Sequence, residues 1–310
     1  MTQDVHHTPT VVRHEFSDAD ITTLTWGDPT NPVVLLVHGF PDSAWTWEHL
    51  APALAAAGRY VVAPFLRGYS PSSLARNDDY SLASLIGDLL GVYHAIGADR
   101  RAVLIGHDWG GAIVSAASSC YPELFDRTVL LAIPPLAAIT GLLTHWSPPR
   151  YRLAILTRQL ARSWYMAVVS TPVVSERIGE SLLRTLWRRW APDDGKDAYR
   201  QRGLAALGER ARRRAAYSYY RAIWNPWYRR ARVAPERQRL AFGPMRNPTL
   251  YLQGRNDTCG LERTGAHALD YLPAGSVRVV VDNAGHFLHL DQPNITARQI
   301  VDYIRTGGES

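Results

Sequence analysis

Uninterrupted apolar runs, rather than alternating ones, recur along this chain. Val33–Val37 reads VVLLV, and Tyr60–Ala63, Ala102–Ile105, Arg127–Ile133, Thr249–Leu252 and Val277–Val281 carry similar stretches. A strand takes this form when both of its faces are buried, as in a parallel sheet covered by helices. Between the runs the apolar period lengthens to that of a helix, over Ser43–Ala57, Ser81–Ile96, Trp109–Ser119, Leu261–Tyr271 and Gln292–Ile304. Two more short strands, Val11–Phe16 and Ile21–Thr25, precede the turn Gly27-Asp28-Pro29. Strand–helix alternation of this kind predicts right-handed crossovers and an α/β fold with a mostly parallel eight-stranded sheet flanked by helices.

The alternation stops between Pro134 and Pro244, where Trp, Tyr, Leu and Arg recur at helical spacing and no buried strand run appears. The expected organisation is a core of residues 1–134 and 244–310 with residues 135–243 inserted as an all-helical lid. Such a lid belongs over the carboxyl ends of the strands, where open α/β sheets bind ligands. A length of 310 residues suits one large domain plus an insertion. An apolar content of 46% with 20% charged residues is that of an ordinary globular protein and excludes a disordered chain.

Residues 1–20 hold no apolar core of a signal peptide. The longest nearly apolar stretch, Val129 to Leu143, is interrupted by Pro134-Pro135 and falls short of the ~20 residues needed to span a bilayer. Cys120 and Cys259 are the two cysteines, which implies no disulfide framework and makes a reducing cytoplasm the expected location. The net charge of +6 is unevenly spread. Arg150 to Arg246 carries 21 Arg and one Lys against seven acids, and the remainder carries 12 Arg against 21 acids. Runs such as Arg212-Arg213-Arg214 and Arg229-Arg230 could touch an anionic surface, yet the aromatics beside them sit at helical spacing and not in a base-stacking pattern. A solvated helical face is the expectation, with no nucleic acid as partner.

The chemistry concentrates in Gly106-His107-Asp108-Trp109-Gly110-Gly111, directly after the run Ala102–Ile105. This is the spacing of a nucleophile elbow, in which a sharp strand-to-helix turn lifts one side chain above the sheet. Aspartate stands where serine is usual. A carboxylate attacking acyl carbon would give a reactive anhydride, whereas displacement at sp3 carbon gives an ester whose carbonyl belongs to the enzyme. Serine esterase chemistry is thereby excluded.

With His38-Gly39-Phe40-Pro41, Arg67-Gly68-Tyr69-Ser70, the elbow, Gly254-Arg255-Asn256-Asp257 and Gly285-His286-Phe287, the chain resembles an α/β-hydrolase of the epoxide hydrolase and haloalkane dehalogenase group. In that fold the catalytic triad runs nucleophile, acid, base along the chain. The resemblance therefore assigns Asp108 as nucleophile, Asp257 as the acid that orients the ring, and His286 as general base, with His289 as a rival base. It further places the oxyanion hole at the backbone N–H groups of Phe40 and Trp109 and implies a cis Phe40–Pro41 bond. His38 and His107 are expected to be structural.

The same resemblance assigns two lid tyrosines that hold and protonate an epoxide oxygen, Tyr165 in Ser163-Trp164-Tyr165-Met166 and Tyr220 in Tyr219-Tyr220-Arg221. The implied activity is hydrolysis of a small, mainly apolar epoxide with water to a vicinal diol, with no cofactor and no metal. A haloalkane dehalogenase-like reading has less support, because position 40 is Phe and offers no side-chain donor to a halide. A fluoroacetate-type reading would want Arg where Trp109 stands. A non-catalytic binding protein with a basic lid is the alternative from another class. Sequence leaves room for a homo-oligomer.

Overall fold

In a computed structural model of the protein, residues 8–144, 149–192, 194–224 and 241–306 are described. One sheet contains β1 (Thr10–Glu15), β2 (Asp20–Trp26), β3 (Val33–Val37), β4 (Tyr60–Pro64), β5 (Val103–His107), β6 (Arg127–Leu131), β7 (Thr249–Gly254) and β8 (Val277–Val281). Its order is β1-β2-β4-β3-β5-β6-β7-β8. The first two strands pair antiparallel with their neighbours, and every pairing from β4 to β8 is parallel.

The unbroken apolar runs have the cause that their pattern implies. In β3, Val33, Leu35 and Val37 enter one buried cluster and Val34 and Leu36 the cluster on the opposite face. β8 differs: it lies at the sheet edge, and Val277 is largely exposed. Register aligns the carboxyl ends, with Val37 opposite Gly106, His107 opposite Leu131, and Gly254 opposite Val281. The loops that follow these strands therefore crowd onto one edge. β3 sits between β4 and β5, so the direction of winding reverses there, which is where such sheets open a crevice.

The flanking helices are α1 (Leu50–Ala56), α2 (Leu82–Ala95), α3 (Trp109–Cys120) and, at the C-terminal end, Pro293–Arg305. Ser81 caps α2, its hydroxyl accepting from the Ser84 amide at 3.4 Å. The helix expected over Ser43–Ala57 is a short 3-10 turn, Ala44–Trp47, followed by α1. Pro52 accounts for the break, since it has no N–H to donate back one turn and is tolerated only in a first turn. Two 3-10 turns, Glu262–Gly265 and Ala268–Tyr271, replace the helix expected over Leu261–Tyr271. Gly265 lies so near the Tyr251 ring that a Cβ there would be 2.3 Å from its hydroxyl oxygen.

Between β6 and β7 lie α4 (Leu136–Thr144), α5 (Pro149–Arg162), α6 (Trp164–Ser170), α7 (Pro172–Trp190), α8 (Asp197–Ala206) and α9 (Arg210–Trp224). Their inner face is aromatic and rests on the loops at the strand ends. Trp187 stacks on Phe287 at 4.4 Å and donates from its indole to the Pro41 carbonyl at 3.0 Å. Tyr219 packs on Trp109 and Tyr80 and donates to the Arg67 carbonyl at 2.6 Å. Arg67 itself is buried and bidentate with Asp88.

The basic face is only partly solvated. Arg221 is buried, donating to the Val169 carbonyl and the Ser175 hydroxyl, and Arg212 donates to the Ser72 carbonyl at 2.8 Å. Arg229-Arg230 lies outside the described residues. Among the described residues no helix is long and apolar enough to cross a membrane.

Candidate active site

Asp108 sits between β5 and α3 with φ 49° and ψ −118°, a backbone conformation that non-glycine residues adopt at a cost of about 1–3 kcal/mol. The neighbouring glycines make the turn possible by close approach. A Cβ at Gly106 would lie 2.3 Å from the Gly110 carbonyl oxygen, and one at Gly110 would lie 1.9 Å from the Val37 carbonyl oxygen. The Asp108 carboxylate is thereby held above the end of the sheet, where Oδ1 accepts from the Phe40 amide at 2.9 Å. Trp109 opens α3, and its N–H is one of those that a helix cannot satisfy internally. The Phe40–Pro41 bond is cis, and so is Ser70–Pro71.

The loops after β7 and β8 bring Asp257 and His286 to Asp108. His286 Nδ1 lies 3.1 Å from Asp257 Oδ2, and Nε2 faces Asp108 Oδ2 at 3.6 Å. All three are buried, and Nε2 has no hydrogen-bond partner. Asp257 is held from several sides. Its Oδ1 accepts from the amides of Cys259 and Gly260 at 2.7 and 2.8 Å, and its Oδ2 accepts from Gln253 Nε2 at 2.8 Å. Gln253 Oε1 accepts in turn from the Tyr251 hydroxyl at 2.7 Å.

Electrostatics couple the carboxylate and the ring. Burial alone would raise the Asp108 pKa, but the His286 ring beside it, His107 and the Phe40 amide outweigh burial and hold it below the usual carboxylate value. Burial alone would lower His286. The Cys259 sulfur and the carboxylates of Asp257 and Asp108 outweigh that and raise it well above 6.5. The rival His289 is elsewhere engaged, its Nε2 lying 2.6 Å from the Thr46 hydroxyl and its ring stacked on Trp47. His38 is locked neutral, Nδ1 donating to the Gly39 carbonyl and Nε2 accepting from the Leu66 amide. His107 donates to the His286 carbonyl.

Both tyrosines singled out in the sequence arrive at this place. Tyr165 and Tyr220 are buried with ring centroids 5.8 Å apart, edge to face. Tyr220 packs 5.4 Å from Phe40 and 5.0 Å from Trp109, the two residues whose amides flank Asp108. Tyr165 packs 4.9 Å from Trp190, which in turn lies 5.1 Å from the His286 ring. Burial raises both phenols well above 10, with Cys259 adding to Tyr165 and Asp108 to Tyr220. The Tyr165 hydroxyl lies 3.7 Å from Cys259 Sγ, and the Tyr220 hydroxyl is buried beside Tyr165 and Trp109.

Gln253, Cys259 and Trp190 were not among the residues expected here. Gln253 had a signal, since a polar side chain inside an otherwise apolar buried strand requires a partner. Cys259 and Trp190 had none. Two trios bring ligand-capable atoms within 4.8 Å of one another, Asp108 with Cys259 and His286, and Asp42 with His107 and His289.

The profile of the alpha/beta hydrolase fold family matches residues 32–293. Epoxide hydrolase A of Mycobacterium tuberculosis is 42% identical over 111 residues, a match covering 36% of this chain and 34% of that relative. The AB hydrolase superfamily protein YfhM of Bacillus subtilis is 25% identical over 281 residues, covering 90% of this chain and 92% of YfhM. The crystal structure of epoxide hydrolase A from Mycobacterium thermoresistibile superposes with a TM-score of 0.73 at 24% identity, covering 96% of this chain and 98% of that one. With an aspartate elbow, an acid and a histidine on successive strand-end loops, and a matching profile over most of its length, the chain belongs to the α/β-hydrolase fold family.

Proposed function

We propose that the protein is an epoxide hydrolase that opens a small, mainly apolar epoxide to a vicinal diol through an ester on Asp108. The observation that carries this reading is an aspartate in the elbow, facing His286 and accepting the Phe40 amide, beneath two buried phenols. Asp108 attacks an epoxide carbon, the C–O bond breaks, and Tyr165 and Tyr220 hold and protonate the oxygen that leaves. An alkoxide is far more basic than an ordinary phenolate, which makes a phenol a fitting proton donor to it. His286, oriented by Asp257, then takes a proton from water, which attacks the ester carbonyl. The bond from that carbon to the alkyl oxygen breaks, the oxygen leaves protonated as the second hydroxyl of the diol, and the remaining proton returns to the phenolate. The Phe40 and Trp109 amides receive the developing oxyanion, one such donor contributing on the order of 3 kcal/mol.

Helices α4–α9 act in this reading as the lid, residues 135–243, over a core of residues 1–134 and 244–310. The aromatic lining from Phe40, Trp109 and Trp190 favours an apolar substrate. Names carried by the sequence relatives support the reaction class. Neither Cys120 nor Cys259 is in a disulfide, which suits a reducing cytoplasm. The phenyl ring at position 40 gives a departing halide no side-chain donor, which favours the epoxide over the haloalkane reading.

A single turnover in 18O-water tests the route. Excess enzyme with an epoxide such as styrene oxide should give an unlabelled first diol, its new oxygen coming from Asp108, with label entering only on later turnovers. Label in the first diol refutes the ester. His286→Gln should let an alkyl-enzyme accumulate by intact mass, and Asp108→Ala should form none.

A further inference from the structure

Beside the His286 ring lies a second buried cluster that the proposed reaction does not use. Asp42, His107 and His289 are each no more than 2% exposed, and one ligating atom from each lies within 4.8 Å of the others. The His107 ring centroid is 4.8 Å from that of His289 and 4.8 Å from that of His286. Existing hydrogen bonds settle which atoms are left over. His107 Nε2 meets the His286 carbonyl oxygen at 2.9 Å, and a carbonyl only accepts, so Nε2 carries the proton and Nδ1 presents a lone pair. His289 Nε2 is taken by the Thr46 hydroxyl. Both Nδ1 atoms remain buried with no hydrogen-bond partner among the described residues, and the Asp42 carboxylate is buried beside the Thr46 hydroxyl and the Ser43 amide.

Two ring nitrogens and a carboxylate thus stand together in one buried place, and a single cation serves all of them at once.

We propose that Asp42, His107 and His289 bind one divalent transition-metal ion of the zinc class, through two imidazoles and a carboxylate. The donor set suits such an ion. Each ring already engages its second nitrogen with a carbonyl or hydroxyl, the orientation that metal-bound histidines adopt. Drawing the three atoms to the ~3.4 Å separation of a tetrahedral site with bonds of about 2.0–2.1 Å needs shifts below about 1 Å. The ion would stand beside His286 and oppose formation of its imidazolium, slowing ester hydrolysis. That consequence rests on the ester mechanism proposed above, whereas the binding does not.

Protein freed of metal by dialysis against chelator is titrated with Zn2+ alone, bound metal is measured by equilibrium dialysis and elemental analysis, and Co2+ binding is followed by visible absorption. Wild type and Cys259→Ser should each bind one equivalent. His289→Ala and Asp42→Asn should lose it, and Thr46→Val should weaken it about tenfold. The Co2+ spectrum should lack a thiolate charge-transfer band. No bound Zn2+ in wild type overturns the site, and so does binding that Cys259→Ser abolishes, which would place the ion on Asp108, Cys259 and His286. Should a cluster variant fail to fold by circular dichroism, the wild-type stoichiometry and Co2+ spectrum decide. Binding that leaves turnover unchanged keeps the site and overturns its catalytic consequence.

Discussion

Replacing Tyr220 by Phe should cost a little stability and much activity. Phe keeps the ring contacts with Phe40, Trp109 and Tyr165 and removes only the hydroxyl, which is buried beside Tyr165 and Trp109. A hydrogen bond lost inside a protein costs about 0.5–1.5 kcal/mol. For a chain of 310 residues, unfolding entropy near 0.65 kcal/mol/K converts that into a fall of about 1–2 °C in Tm. A positioned proton donor is worth on the order of 100- to 10,000-fold in rate, and with Tyr165 still present the lower end is expected. Differential scanning calorimetry gives the first quantity. Stopped-flow tryptophan fluorescence under single-turnover conditions gives the second, and the loss should fall on formation of the alkyl-enzyme rather than on its hydrolysis. A Tyr220→Phe protein that alkylates at the wild-type rate would reduce this residue to packing.

Four further outcomes follow from the same geometry. Gly110→Ala pushes a Cβ to 1.9 Å from the Val37 carbonyl oxygen and should cost about 3 kcal/mol, visible as a Tm lowered by about 5 °C. Gln253→Leu strips a donor from Asp257 and should cost about 1–3 kcal/mol in urea denaturation while kcat falls more than KM rises. His38 is neutral in the fold, with burial lowering it to about 4 against 6.5 unfolded. Below pH 6.5 the unfolded chain takes up a proton that the folded one refuses, so from this group stability should fall by about 2 kcal/mol between pH 6.5 and 5, and NMR should find the His38 ring unprotonated at pH 5. Asp108→Asn removes one of the charges that raise His286, and the NMR titration of that ring should move to lower pH; an unchanged midpoint would deny the coupling.

Much of this architecture was readable because burial on two faces leaves a trace in local composition. Val33–Val37 and Ala102–Ile105 are apolar throughout because both of their faces are buried, and Asp108 stands out by following such a run between glycines. Legibility failed where tertiary neighbours decide. β8 carries the same valine-rich run as a central strand, yet its place at the edge depends on pairing order. Gly265 is set by the Tyr251 ring and not by its own neighbours in sequence, so two short turns replaced a helix there. In the site, Asp108, Asp257 and His286 announce themselves by following strands, whereas Cys259 reaches Tyr165 across 94 positions. Asp42, His107 and His289 meet only because the loop after β3, the end of β5 and the turn after His286 share one edge of the sheet. No spacing rule could pair them.

The proposed reaction makes opposite demands on one histidine, and the spacing of its neighbours reconciles them. During attack on the epoxide, Asp108 must be ionised, and the adjacent imidazole helps to keep it so. During hydrolysis the same imidazole must be a neutral base, although in the resting site the carboxylates on both sides raise its pKa. Esterification resolves the conflict without any movement, because it turns Asp108 from a charge into a dipole. One support of the imidazolium vanishes at the moment when a base is needed, and Asp257, facing Nδ1, keeps enough attraction for the proton that the ring then draws from water. When the ester is cleaved, the Asp108 charge returns and the first state is restored. A serine in the elbow could not run this cycle, since its resting hydroxyl carries no charge to lose. The 3.6 Å between Nε2 and Asp108 Oδ2 suits that cycle in the proposed reaction, since it is near enough for the change of charge to be felt by the ring.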